Sequence, residues 1–259
     1  MNKKLSVVLA VFNEENNLRA CLKSVSDFAW EIVIVDGGSE DKTLQIAKQF
    51  QAKIIQTNNP QVFHINKNKA IDAASGDWIL QLDADEVVTQ KLAAEIKQVI
   101  SKNSEINGYW IPRKNFFLGK FLTKGGQYPD YTLRLYKKGK GRLPAKDVHE
   151  QAIVEGKTGY LNNDLLHLRD RKFSVYLERL NRYTDLLATQ MNQSGIKVNF
   201  FSVINYILLK PFLWFIKVYL RHRGYMDGFA GFIFALFSSL RFPIAYLKLL
   251  TNEKSNIRK

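Results

Sequence analysis

Leu80 to Val88 reads LQLDADEVV: an apolar run that ends in three carboxylates within four residues, Asp83, Asp85 and Glu86. Like charges at that spacing repel, so the cluster costs stability unless something positive sits among them. The chain has 259 residues and a formal net charge of +14, yet it gathers acids here. A metal ion is the first candidate for the missing positive charge. The run before the acids has the length and composition of a buried strand, and the fold is read outward from it.

Three more runs of the same β-branched-rich type precede it: Leu5 to Phe12 (LSVVLAVF), Glu31 to Asp36 (EIVIVD) and Ala52 to Thr57 (AKIIQT). Between them lie segments of helical period, Asn17 to Val25, Asp41 to Phe50 and Ile65 to Ala74. Ser39 and Asp41 offer N-cap oxygens for the second helix, and Gly76 is placed to cap the C-terminus of the third. Strands alternating with helices predict an α/β fold with a mostly parallel sheet covered on both faces. Residues 89–102 predict a further amphipathic helix with Thr89 as its cap. Beyond it, GYWIPRKNFFLG and YTLRLYKKGKG read as a mixed-sheet extension, with a basic hairpin or loop over Lys137 to Lys146. From Arg171 the pattern is helical again, so residues 1–170 are expected to form the sheet domain and 171–259 a helical region.

Composition narrows the classes. A single cysteine, Cys21, excludes an internal disulfide, and with four histidines it forms no zinc-like spacing. The apolar run at the N-terminus is short and lacks a small-residue cleavage site, which reads as a strand and not a signal peptide. Residues 1–110 hold 12 Lys and Arg against 14 Asp and Glu, whereas residues 111–259 hold 26 against 10. The basic half predicts a polyanionic partner. Within Val198 to Leu250 the longest uncharged stretch is 13 residues, Gly228 to Leu240, against the roughly 20 that a span needs. Lys210, Lys217, Arg221, Arg223, Arg241 and Lys248 recur between aromatic clusters, a pattern that predicts helices lying in the membrane interface.

In an open parallel sheet, ligands bind beyond the carboxyl ends of the strands. Asp36 ends the second strand, and Asp83 and Asp85 follow the fourth, so both sites are expected on one edge. No G-x-G-x-x-G follows the first strand and no G-x-x-x-x-G-K-[ST] occurs, which removes the dinucleotide and P-loop readings. Hard carboxylate oxygens in an Asp-x-Asp pair suit Mg²⁺ or Mn²⁺ shared with a diphosphate.

Four motifs in order, SVVLAVFNEENNL at the start, VDGGSEDKT from Val35, KNKAIDAASGDWIL from Lys67 and LDADE from Leu82, resemble the family 2 glycosyltransferases of GT-A fold over about residues 4–155. The resemblance implies a nucleotide-sugar donor, UDP-linked by preference, lying over the first strands. It places Ala10, Phe12 and Glu14 along the nucleotide, Asp36 on base or ribose, and Lys67 and Asn68 at the pocket's closure. Asp83 would face ribose and metal, with Asp85 the principal metal ligand. The segment KPFLWFIKVYLRHRGYMDGFAGFIFAL is similar to the C-terminal region of bacterial lipopolysaccharide-core glucosyltransferases, which add β-linked glucose to inner-core heptose. That likeness implies a lipid-linked glycan acceptor and a place on the cytoplasmic face of the bacterial inner membrane. No Gln-x-x-Arg-Trp of the processive synthases occurs, so one sugar per encounter is expected.

An inverting transfer needs a base for the acceptor hydroxyl. The stretch AKDVHEQ, where the family places its base, carries Asp147, His149 and Glu150. Glu150 is the first candidate, Asp147 the reserve, and His149 could orient Glu150. Arg134 resembles the family's arginine at that strand and is the candidate cation for the departing diphosphate. Two other readings stand beside this one: transfer to a polyprenyl phosphate, which needs no base, and a non-catalytic basic module for membrane or nucleic acid. Apolar clusters on helical segments favour membrane over nucleic acid.

Overall fold

The computed structural model describes residues 3–60, 62–144 and 151–256. The chain forms two compact units: residues 1–114 with 129–169, and residues 115–128 with 170–259. The elements in order are β1 (Leu5–Val11), α1 (Leu18–Val25), β2 (Glu31–Asp36), α2 (Thr43–Gln49), β3 (Lys53–Gln56), α3 (His64–Ala73), β4 (Trp78–Gln81), β5 (Glu86–Val88) and α4 (Gln90–Ser101). They continue with β6 (Ile106–Phe117), β7 (Lys120–Phe121), β8 (Asp130–Lys137), β9 (Gly141–Arg142), β10 (Ile153–Val154), β11 (Lys157–Tyr160), β12 (Leu165–Asp170) and α5 (Phe173–Gln193).

The sheet of the first unit runs β3-β2-β1-β4-β8-β6-β12-β5. Its first four strands are parallel, joined by helices as the alternation predicts. At β4 the direction changes, because β8 pairs antiparallel with both β4 and β6. Alternate residues of each strand enter different cores. Val7, Leu9 and Leu80 pack with Leu18, Leu22, Leu92 and Ile96 on the α1 and α4 face. Val8, Val33, Val35 and Ile79 pack with Ala70 and Ile71 on the α3 face. β4, buried along its whole length, is held between β1 and β8 and thereby fixes where the acids emerge.

One local expectation holds in the structure and two change. Thr89 caps α4, accepting from the Leu92 amide at 3.2 Å, as the sequence predicts. Gly76, by contrast, caps nothing: α3 ends at Ala73, and a Cβ on Gly76 would lie 2.6 Å from Ser6 Oγ and 2.8 Å from the Lys4 carbonyl. Its amide donates to Ser6 Oγ at 2.8 Å, so glycine is required by close approach to β1. Ser39 is not a helix cap either, since its hydroxyl bonds Asp36 and accepts the Asn13 amide. The cations of the basic hairpin that lie within the described residues are committed to structure. Lys138 Nζ donates to the carbonyls of Ile71, Asp72 and Ala74 at the α3 C-terminus, where a cation is favoured, and Arg142 pairs with Asp72 at 2.7 Å.

In the second unit α5 packs on the final helix, Gly228–Asn256, through Ala188, Met191, Ala245, Tyr246 and Leu249. Buried Asp227 accepts from the Thr123 and Lys124 amides and the Thr123 hydroxyl, tying the Asn115–Tyr128 segment to the start of that helix. The helix Phe200–Arg221 leaves half of its apolar side chains exposed: Phe200 and Phe201 are 72% and 79% exposed, and Leu208, Phe212 and Leu213 more than half. Two π-helical turns interrupt it, the first over Ile204–Leu209 just before Pro211, which has no amide to continue the ladder. Lys210, Lys217 and Arg241 lie over the rings of Tyr206 and Trp214. By length and composition Phe200–Arg221 and Gly224–Thr251 are each apolar enough to cross a membrane, which the count of uncharged residues alone did not suggest. Isolated charges within a long apolar helix shorten the uncharged run without removing its hydropathy.

Gly76→Ala is expected to lower unfolding free energy by roughly 1–3 kcal/mol, the cost of overpacking against backbone. Urea denaturation measures it; an unchanged midpoint would mean that β1 and β4 tolerate separation there.

Candidate active site

β4 ends at Gln81, but Leu82 still donates to the Val8 carbonyl at 3.0 Å, so the chain is held until the residue before Asp83. A tight turn follows in which the Glu86 amide bonds the Asp83 carbonyl and the Asp83 amide bonds Glu86 Oε2, both at 3.0 Å. The turn folds the acids around their own backbone and sends Glu86 into β5, fully buried.

The positive charge that the sequence demands comes from side chains. Lys67, in α3, pairs with Asp83 Oδ1, and Arg134 pairs with Asp83 Oδ2. The same Arg134 Nη2 reaches Glu86 Oε1 at 2.8 Å, and Arg113 joins Glu86 at 3.2 Å while also holding Asp130 at 2.7 Å. A register break brings Arg134 there. Tyr109 pairs with Leu135 but Trp110 pairs with Leu133, so Arg134 is the extra residue of a β-bulge. Bulges re-aim side chains in this way. Burial pushes the Asp83 carboxyl up, but Arg134 and Lys67 overcome it and hold it well below the usual carboxylate range. Burial lowers Lys67, with Asp83 opposing, and the two carboxylates raise Arg134 against burial.

Asp85 faces a different partner. His167, on β12 and paired in register with Glu86, places Nε2 3.3 Å from Asp85 Oδ2. Burial works to raise Asp85, and the His167 hydrogen bond turns the balance, so its carboxyl lies below the ordinary range. A nitrogen and an oxygen that share one ion at about 2.1 Å stand roughly 3.0 Å apart, so this pair fits a divalent cation with little movement. Among the described residues no third His, Cys, Asp or Glu completes a protein cage. Two protein ligands leave the remaining positions to water and phosphate oxygens, the habit of Mg²⁺ and Mn²⁺ in phosphate sites.

The other expected residues fall in distinct places. Asp36 is fully buried and shapes its own loop: Oδ2 accepts the Gly38 and Ser39 amides at 3.0 Å, and Oδ1 the Ser39 hydroxyl at 2.5 Å. Glu14 is raised by burial, with Asp85 and Asp83 adding to the effect and Asn17 opposing it, so it belongs electrostatically to the acid cluster. Phe12 is 42% exposed beside it and Ala10 half-buried. The Asn68 amide clamps Leu143, donating to the carbonyl at 2.9 Å and accepting the amide at 3.1 Å. Asp147, His149 and Glu150 lie outside the described residues. Their described flanks are pinned to the site's own elements, Leu143 by Asn68 of α3 and Gln151 by Thr132 and Leu133 of β8. The sequence reading missed His167 and Arg113. Arg113 carries no motif, and the only signal for His167 is one polar residue at a buried position of LLHLRD.

The family model for glycosyl transferase family 2 matches residues 6–149. The chain belongs to that family, and it is a glycosyltransferase. It is 30% identical over 242 residues to the lipopolysaccharide core biosynthesis glycosyltransferase LpsC of Rhizobium meliloti, covering 90% of this chain and 86% of that one. It is 25% identical over 269 residues to an uncharacterized glycosyltransferase of Rickettsia typhi, covering 98% and 90%. In structure it is similar to the mannosyltransferase PcManGT of Pyrobaculum calidifontis, solved with GDP-Man and Mn²⁺: TM-score 0.54, 12% identity, 96% of this chain and 88% of that one. The fold is of the GT-A kind.

Arg134→Gln removes one cation from two buried carboxylates and is expected to cost about 3 kcal/mol at pH 7. Because Asp83 is depressed in the folded state, its contribution is present above the unfolded value of about 3.9 and is lost as pH falls below it. The cost should therefore shrink near pH 3. Urea denaturation at both pH values reads it, and an equal cost at each would place the loss in packing.

Proposed function

We propose that the enzyme is an inverting, metal-dependent glycosyltransferase that moves one sugar, glucose from UDP-glucose, onto inner-core heptose of lipopolysaccharide or a similar membrane glycolipid. The observation that carries the donor half is the convergence of Asp85 and His167 at 3.3 Å beside Asp83 and its two cations, at the carboxyl edge of the parallel strands. Asp85 and His167 would hold Mg²⁺ or Mn²⁺. Such an ion, when bound, neutralises the diphosphate and favours its departure. Lys67 and Arg134 add fixed positive charge where the leaving diphosphate becomes more negative, in a site where they need no reorganisation. Asp36 stiffens the loop after β2, and Ala10, Phe12, Glu14 and Asn68 complete the donor side. On the acceptor side Glu150, with Asp147 in reserve and His149 orienting it, removes the hydroxyl proton as the new bond forms. The similarity to LpsC supports the lipopolysaccharide acceptor.

The exposed aromatic face of Phe200–Arg221, with cations lying over its rings, supports a peripheral seat on the anionic inner membrane, on its cytoplasmic face. Binding to anionic vesicles should weaken as salt rises from low to about 1 M, where screening reaches within about 3 Å. Flotation assays read this, and salt-resistant flotation would mean apolar insertion outweighs charge.

The catalytic reading is tested by turnover with UDP- and GDP-sugars, comparing the parent with Glu150→Gln. Loss of turnover by roughly a hundredfold or more with donor KM nearly unchanged is expected. Full activity of Glu150→Gln would favour a phosphate nucleophile, as in polyprenyl-phosphate transfer, or a base at Asp147.

A further inference from the structure

The first unit carries an aromatic corner that the donor chemistry does not use. Trp110 of β6, Tyr131 of β8 and Tyr160 of β11 come together from three strands. Trp110 and Tyr160 stack with centroids 6.4 Å apart and planes inclined 19°, while Tyr131 meets Tyr160 edge-on at 5.0 Å and 79°. The rings therefore offer two nearly perpendicular walls. Sequence puts them there deliberately: in KTGY, Gly159 lies against the Tyr109 ring, where a Cβ would stand 3.0 Å from it. That close approach lets β11 pair with β6 and sets Tyr160 opposite Trp110.

The corner is not core. Tyr160 is 62% exposed and Tyr131 40%, although Trp110 beneath them packs against the α3-side core. Exposed, contiguous aromatic surface of this kind marks a binding face. It also lies on the α3 face of the sheet, because Trp110 packs against the core cluster that holds Ala70 and Ile71 of α3, the helix that supplies Lys67 to Asp83. Along β8, Tyr131 is three residues from Arg134, about 10 Å of strand. Next to Tyr131, Asp130 holds Arg113, which reaches Glu86, and Thr132 holds Gln151, the residue after Glu150.

The charge around the corner selects its ligand. Arg113 is committed to Asp130 and Glu86, and Lys157 of β11 to Glu105 at 2.5 Å. A phosphate or nucleotide would find no uncommitted cation among these. A neutral sugar suits the surface better, since ring C–H bonds carry slight positive charge toward the negative face of an aromatic ring, and hydroxyls remain to bond Tyr and Thr158 oxygens. We propose that Trp110, Tyr131 and Tyr160 form a platform for a neutral sugar ring of the acceptor glycan. The assignment rests on the acceptor being a saccharide, as in the function proposed above.

The test uses the full chain and a deacylated, heptose-containing core oligosaccharide as probe, with binding read by saturation-transfer NMR and UDP-glucose binding with Mn²⁺ measured on the same samples. Tyr160→Ala is expected to weaken oligosaccharide binding roughly tenfold, the worth of one good aromatic contact, with donor affinity unchanged. Tyr160→Phe, which keeps the ring, should stay within about twofold of the parent. Tyr131→Ala removes the other wall and should weaken the oligosaccharide alone as well. Oligosaccharide binding unchanged in both alanine variants would overturn the platform, as would a Phe variant as weak as the Ala variant. A parent that binds UDP-glucose but no oligosaccharide also overturns it. A parent that binds the oligosaccharide through these rings but no UDP-sugar supports the platform and sinks the donor reading instead.

Discussion

Arg134 Nη2 touches Asp83 and Glu86 at once, and much of the first unit serves to bring that guanidinium to those two acids. Glu86 is fully buried, so its charge needs a partner there or the turn after β4 cannot keep its shape. The partner arrives because β8 runs antiparallel to β4 and carries a bulge at Arg134. Arg113 from β6 and Lys67 from α3 then share the load, so three elements that are far apart in sequence are locked to one turn. Asp85, by contrast, is left to His167, which keeps a carboxylate and an imidazole facing each other at the edge of the sheet.

The division of labour among the acids explains why a basic chain gathers them. Asp83 and Glu86 are partnered by the buried cations Lys67, Arg134 and Arg113, which offset their charge. Asp85 and His167 are the pair with the chemistry to hold an ion. The basic hairpin spends Lys138 and Arg142 on the C-terminal turn of α3, the helix whose other end carries Lys67. Both of those cations are devoted to position.

What was legible in the sequence followed local rules. The alternation of β-branched runs with helical periods fixed the parallel half of the sheet, and Thr89 announced α4 through an ordinary cap. The acids at the end of β4 could be placed on the carboxyl edge from strand order alone. Long-range antiparallel pairing was not legible. His167 reaches Asp85 only because β12 pairs with β5 some 80 residues earlier, and nothing in LLHLRD states that register. The bulge that frees Arg134 is likewise a property of two strands together. Gly76 shows the same limit: it has a local reading as a helix cap and answers instead to a distant backbone, that of β1.

The central claim is that Asp85 and His167 jointly hold a divalent cation on the donor diphosphate. Electron paramagnetic resonance of Mn²⁺ titrated with protein and UDP tests it without turnover. The account predicts that the parent depletes the free Mn²⁺ signal in a UDP-dependent way and that Asp85→Ala and His167→Ala each restore it. Depletion by both variants equal to that of the parent would contradict it and place the ion elsewhere.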